Sequence, residues 1–227
     1  MIRVTENLRK IRDLLHKNAL EHGRDPESVE LIAVSKKQPL SAVLEAAAAG
    51  QRDFGENLVQ EGVEKILAAG RDDLIWHFIG HLQSNKTRLV AEHFDWMHTI
   101  DREKIARRLH EQRPDDKAPL SVCVQVNIDG ESSKAGVRPE DAVDLARSVA
   151  SLDRLRLRGF MCIPAPKADF AAERESFRGM RELLADARAH SLDVDTLSMG
   201  MSGDFEAAIA EGATHVRIGT AVFGPRQ

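Results

Sequence analysis

Tyrosine is absent from this chain of 227 residues, and all aromatics together make up only 4% of it. No phenol is therefore available as an acid–base group. The two cysteines, Cys123 and Cys162, are too few for a disulfide framework and lack the spacing of a metal site. No apolar run approaches the roughly eighteen residues that a membrane-crossing helix needs. The opening MIRVTENLRKIRDLL mixes charges into its apolar positions and has no signal-peptide core. The formal net charge is −4 without any block of like charge, so the basic stripe of a nucleic-acid binder is missing. With 42% hydrophobic and 30% charged residues, the chain is expected to be a soluble cytoplasmic protein with a sizeable core and neither nucleic-acid nor membrane partners.

What is present alternates. Residues 1–25 carry a helical stripe of Leu8, Ile11 and Leu15, punctuated by Gly23 and Pro26. Short apolar or β-branched runs follow at 31–35, 75–80, 96–100, 120–128, 156–163 and 214–219. Two weaker ones lie near Arg52–Phe54 and Thr196–Met199. Helical patterns fill the gaps at 41–49, 58–69, 84–93, 102–112, 139–151, 170–190 and 204–211. Strict strand–helix alternation argues for parallel strands with crossover helices. Eight such units favour an α/β fold of the closed kind: a single (β/α)8 TIM barrel over 30–227 with an extra N-terminal helix, in one domain spanning 1–227. The open doubly wound alternative would show a glycine-rich turn after its first strand, where this chain reads SKKQP.

Barrels of this type place chemistry where strands end. The first strand runs into Ser35-Lys36-Lys37. A lysine at such a mouth suits Schiff-base chemistry, because partial burial of an amine lowers its pKa; position alone slightly favours two solvated charges at a strand terminus. Near the other end of the chain lie Ser198-Met-Gly-Met-Ser202-Gly203-Asp204 and Arg217-Ile-Gly219-Thr220. Ser202 is expected to cap the helix from Asp204. Helix N-termini, glycines and hydroxyls together favour a phosphate, which barrels often bind after strands seven and eight. Lysine and cradle are expected to face one another across the mouth. They would serve a phosphorylated aldehyde cofactor or, alternatively, a phosphosugar aldolase. His77 and His81 share a face by period-two spacing, but with no third ligand nearby they are expected to be structural. Met161, Met199 and Met201 fit packing around the mouth.

The segments AVSK at 33–36, FGEN at 54–57, WHFIG-LQSNK across 76–86, LSMGMS-D at 197–204 and VRIGTAVFG at 216–224 resemble the pyridoxal-phosphate homeostasis protein family. That family is similar in fold to the N-terminal barrel domain of alanine racemase. The resemblance covers nearly the whole chain. It implies a pyridoxal 5′-phosphate cofactor held as a Schiff base by Lys36, with Lys37 on a variable position. It further implies that Ser202, Gly203, Gly219 and Thr220 hold the phosphate. Arg217 would approach the pyridine nitrogen, and Asn57 would lie beside the cofactor; His81 is given no role.

An arginine at that nitrogen only donates hydrogen bonds and stays charged, so it disfavours ring protonation and weakens the ring as an electron sink. Racemases of related fold take a second acid–base group from a tyrosine on another domain. This chain has no tyrosine, its length is expected to leave no room for that second domain, and Cys162 is the only obvious substitute. The expected role is therefore a carrier in intracellular vitamin B6 homeostasis without substantial turnover. Its partners would be the cofactor and, transiently, enzymes that need it. A monomer is expected. The alternative is a racemase-like enzyme of low activity on small amino acids.

Overall fold

The computed structural model describes residues 4–131 and 134–225. The first three positions of the expected N-terminal helix and the last two of the expected barrel lie outside them. Helix α1 (Val4–Glu21) precedes the alternation β1 (Glu30–Val34), α2 (Leu40–Ala48), β2 (Asp53–Glu56), α3 (Val59–Ala69), β3 (Ile75–Phe78) and α4 (Thr87–His93). It continues as β4 (Trp96–Ile100), α5 (Glu103–Gln112), β5 (Leu120–Val126), α6 (Pro139–Ala150), β6 (Leu155–Cys162), α7 (Phe170–Ala189), β7 (Thr196–Ser198), α8 (Phe205–Ala210), β8 (His215–Ile218) and α9 (Thr220–Phe223). All eight strands pair in parallel in sequence order, and β8 returns to β1 to close the barrel. The expected (β/α)8 barrel with an N-terminal helix is what forms.

Local chemistry explains several boundaries. Pro139 opens α6 at a position whose N–H would have no helical partner. Asp169 caps α7, its carboxylate accepting from the Ala172 N–H at 2.9 Å. The sequence periodicity is weakest at β2 and β7, and the reason is packing. Asp53 of β2 and Ser198 of β7 turn inward, and the barrel interior is polar. His77, His98 and Arg217 are buried there with them, beside a small apolar group of Trp96, Cys123 and Met161. The main apolar core is the layer between strands and helices, where Phe54, Phe78, Met97, Val124, Leu197 and Ile218 pack against helix faces. Strands buried on both sides normally read as continuous apolar runs; here the inner face breaks the pattern.

Helix α1 lies against α2, α8 and α9. Val4, Leu8, Leu15 and Ala19 are buried, and Ile11 is partly so. Asn7 Nδ2 donates to the Val222 carbonyl at 3.0 Å, and Arg24 Nη1 donates to the carbonyls of Ile209 and Ala213 at 3.0 and 2.7 Å. The helix outside the barrel thus braces the last two βα units. No described helix is long and apolar enough to cross a membrane. Replacing Leu8, only 1% exposed, with alanine should cost about 2–5 kcal/mol through lost burial and a residual cavity. Equilibrium urea unfolding should show a lower midpoint at unchanged slope.

Candidate functional site

The mouth of the barrel is assembled from strand ends. β1 stops at Val34, after which Ser35 is buried, Lys36 half-buried and Lys37 exposed. Lys37 has a left-handed backbone, φ 59°, which non-glycine residues adopt at a cost. Its N–H donates to the Glu61 carboxylate, which compensates. Beneath the loop Lys65 Nζ donates to the Ser35 carbonyl at 2.7 Å, to Glu56 Oε1 at 2.8 Å and to Glu61 Oε1 at 2.7 Å. Ser35 Oγ donates to the same Glu56 oxygen at 2.6 Å. Glu56 is fully buried; burial pushes its carboxyl up from its ordinary value, against the opposing bonds from Lys65 and Ser35. Burial also works against ionisation of Glu61, but Lys65 and the Lys37 N–H hold it below the usual carboxylate range. β2 and α3 therefore clamp the segment that carries Lys36.

The barrel closure fixes what lies beside that lysine. Ala33 pairs with Ile218, so the end of β1 adjoins the end of β8. A Cβ on Gly219 would sit 3.1 Å from the Val34 carbonyl, so the turn before Thr220 packs directly on the strand leading to Lys36. The expectation that lysine and cradle face one another across the mouth is corrected here. For the β8 turn they are strand neighbours, because closure makes the first and last strands adjacent.

The β7–α8 loop also differs in detail. Ser202 is not the helix cap: α8 begins at Phe205, Asp204 occupies the capping position, and Asp204 Oδ1 accepts from the Met201 N–H at 2.6 Å. That bond folds the loop back on itself and leaves Ser202 and Gly203 exposed at its turn. A Cβ at Gly203 would meet nothing within 4 Å. The loop thus opens onto space, as an anion cradle requires. A cavity of about 300 Å³ borders the loop, lined by Gly203 together with Pro164, Phe177, Met201 and Asp204 among others.

Arg217 is buried, with Nη1 donating to Ser198 Oγ and Nη2 to the Cys162 carbonyl, each at 2.8 Å. Asn57 is half-buried at the end of β2. The chain after β3 rests on it so closely that a Cβ on Gly80 would come within 2.2 Å of the Asn57 carbonyl. Cys162 is fully buried in the apolar layer, and burial pushes its thiol up to about 12. It is unsuited to act as a base at neutral pH.

The two histidines read from period-two spacing separate, because β3 ends at Phe78. His81 is exposed at the rim, 3.6 Å from Asp101, while His77 lies inside the barrel. There its Nε2 meets Asp53 Oδ1 at 2.9 Å and its Nδ1 meets His98 Nε2 at 2.8 Å. The Lys65 cluster and this interior group escape a reading by motif. Lys65 sits in an ordinary amphipathic helix, Asp53 and Ser198 lie in the two runs of lower apolar character, and His98 lies within the apolar run 96–100. Inward parity along each strand would have flagged them.

The alanine racemase N-terminal domain family matches residues 3–227. The pyridoxal phosphate homeostasis protein of Pseudomonas aeruginosa is 55% identical over 226 residues, covering 100% of this chain and 97% of that protein. The protein of the same name from Escherichia coli K12 is 54% identical, covering 98% and 97%. Among solved structures, PipY of Synechococcus elongatus with PLP bound superposes with a TM-score of 0.84 at 38% identity, covering 97% of this chain and 100% of that one. Alanine racemase of Corynebacterium glutamicum, at 17% identity and a TM-score of 0.74, shares the fold, with 98% of this chain matching 61% of that one.

Lys65→Met should leave Glu56 buried without its cation and destabilise the protein by about 3–5 kcal/mol. Combining it with Glu56→Leu should recover most of that loss in the same denaturation assay, because both buried charges are then gone. Gly80→Ala should displace Asn57. A crystal structure of this variant in which the 56–57 backbone does not move would contradict the close packing described.

Proposed function

Because the chain belongs to the pyridoxal phosphate homeostasis protein family, we propose that it binds pyridoxal 5′-phosphate as a Schiff base on Lys36 and acts as a carrier in intracellular cofactor homeostasis, without substantial turnover. The carrying observation is the adjacency of the Lys36 segment to the Gly219–Thr220 turn across the β1–β8 seam. Lysine amine and phosphate ligands then sit at one end of one barrel. The aldehyde of the cofactor supplies the electrophile. Lys36, half-buried and anchored from below through Ser35, is the amine that meets it. Ser202 and Gly203 on one loop and Gly219 and Thr220 on the next hold the phosphate, using hydroxyls and backbone at turns open to solvent. Asn57 borders the ring.

Arg217 takes the position beside the pyridine nitrogen. A guanidinium has no acceptor and keeps its charge, so it opposes ring protonation and restrains carbanion chemistry. The tyrosine that related racemases use as a second acid–base group has no counterpart in this sequence. The chain has no tyrosine, and the Cys162 thiol is buried and protonated. These features support holding over turnover. The 1–227 unit is proposed to work in the cytoplasm as one domain and a monomer. It would transiently meet enzymes that take up the cofactor.

Purified protein mixed with pyridoxal 5′-phosphate should show a visible absorption band that borohydride abolishes. Peptide mapping should then place the pyridoxyl group on Lys36, and Lys36→Ala should lose the band. A label on Lys37 would reassign the site, and no band at all would remove the cofactor proposal. Racemisation of any amino acid at rates near the enzyme median of about 10 per second would favour the enzyme alternative.

A further inference from the structure

The polar interior of the barrel runs as a column to the N-terminal ends of the strands. Arg217 Nη1 donates to Ser198 Oγ, Ser198 Oγ meets His98 Nδ1 and His98 Nε2 meets His77 Nδ1, each at 2.8 Å. His77 Nε2 meets Asp53 Oδ1 at 2.9 Å. At the foot of this column Asp53 bonds to Glu30, the first residue of β1, which is open to solvent. A cavity of about 310 Å³ lies beside Glu30, between α1, residues 26–29 and residues 50–52. It is at the end of the barrel away from Lys36, and the proposed carrier role makes no use of it.

Opposite charges stand around this cavity without pairing. Glu30 turns to another carboxyl, that of Asp53. Arg12 lines the same cavity and acts on the Glu30 carboxyl through space. Among the described residues, however, no ion pair joins the two: Arg12 directs Nη1 to the Ala49 carbonyl and Nη2 to Gln51 Oε1, each at 3.1 Å. Glu27 lies 3.5 Å from His16, and Arg52 lies 3.3 Å from Asp73. Residues at this end of such a barrel ordinarily serve stability, and a purely stabilising arrangement would close Arg12 onto Glu30. Two carboxyls in contact instead share a proton or take up a cation.

We propose that this cavity is a binding site for a small aliphatic α-amino acid in its zwitterionic form, with the ammonium group on Glu30, backed by Asp53, and the carboxylate on Arg12. A simple anion would lie against the carboxyl pair, and a simple amine would leave the guanidinium unmet. A zwitterion answers both poles. Leu15, Val29 and Leu31 add apolar wall for a short aliphatic side chain. None of these residues belongs to the proposed cofactor site, so the two readings stand or fall separately.

The carboxyl pair links such binding to pH. Desolvation is the main force raising both carboxyls, Asp53 to about 6 and Glu30, although that residue is exposed overall, to about 7. Contact with Asp53 raises Glu30 further; Arg12 opposes this and Glu27 adds to it. The bond from Glu30 opposes the shift of Asp53. His77, also on Asp53, stays neutral because burial lowers it to about 3, against the pull of Asp95. Between the two midpoints the pair holds a shared proton. An arriving ammonium group takes that proton's place, and the proton leaves to the solvent. Affinity should therefore rise with pH across this interval, by at most about tenfold per unit for one proton released.

Calorimetric titration of the cofactor-free protein with L-alanine, at a pH between about 6 and about 7, tests the site. Binding should be saturable and should release protons, read as a heat that changes with the ionisation enthalpy of the buffer. Propionate and ethylamine, each with one pole of alanine, should bind weaker by roughly tenfold or more, having lost a charge-assisted bond. Glu30→Gln should abolish the proton release and weaken L-alanine to a similar degree. In amide NMR spectra the signals of Gly50 and Gln51 should shift. No saturable binding of L-alanine, a shift confined to Lys36 and Thr220 at the mouth, or a Glu30→Gln protein that binds as tightly as the parent would overturn the proposal. So would propionate or ethylamine matching L-alanine, which would make this an anion or a cation site. If Glu30→Gln does not fold, Arg12→Gln decides by the same loss of affinity. A protein that passes this titration and forms no absorption band with pyridoxal 5′-phosphate keeps the amino-acid site and loses the carrier role.

Discussion

The pairing of β8 with β1 is the constraint from which the site follows. It is the bond set of greatest sequence separation in the barrel, joining Glu30 to His215 and Ala33 to Ile218. Without it the Lys36 segment and the Gly219 turn would be the two loose ends of an open sheet. Parallel closure gives every strand two neighbours and leaves no edge. It also forces the inner faces of all eight strands onto one axis, where side chains must fit each other. Outside, α1 reinforces the seam by holding α9 through Asn7, and Arg24, just beyond the helix, holds the chain around α8.

Two polar assemblies grow from that frame and meet at the mouth. One lies outside the strands, where Lys65 gathers Ser35, Glu56 and Glu61 beneath the Lys36 loop. The other lies inside, where Arg217 is held by Ser198 and the Cys162 carbonyl. Each satisfies groups that would be costly to bury unpaired. The first anchors the backbone next to Lys36, and the second fixes the Arg217 side chain. Lys36 and Arg217 are thus supported by different layers of the protein, with the β1 and β8 strands between them.

The fold was largely legible because its signal is periodic. The alternation of apolar runs and helical stripes predicts the eight units, the N-terminal helix and nearly every boundary to within a few residues. Motif residues at strand ends were legible for a related reason: the fold itself says where loops meet. Ser202 shows where this stops. A serine before an Asp-initiated helix reads as a cap, yet the carboxylate of Asp204 takes the Met201 N–H and moves the cap downstream. Asp53, His98 and Ser198 show the same limit. Their partners are 19 to 100 residues away in sequence, so neither spacing nor local pattern reveals them. Inside a barrel, chemistry is decided by which strands share an axial layer, and a linear pattern contains that information only as parity.

The interior column has a consequence for how such a sequence can drift. A conventional barrel core accepts one aliphatic residue for another with modest loss, because apolar contacts are non-directional. Here each side chain presents a donor or acceptor that one particular neighbour must complement. A lone replacement of His98 or Ser198 strands two partners at once, and the harm is removed only by matching changes on other strands. These inner positions should therefore vary as a linked set across relatives, while the far larger apolar layer outside them varies residue by residue.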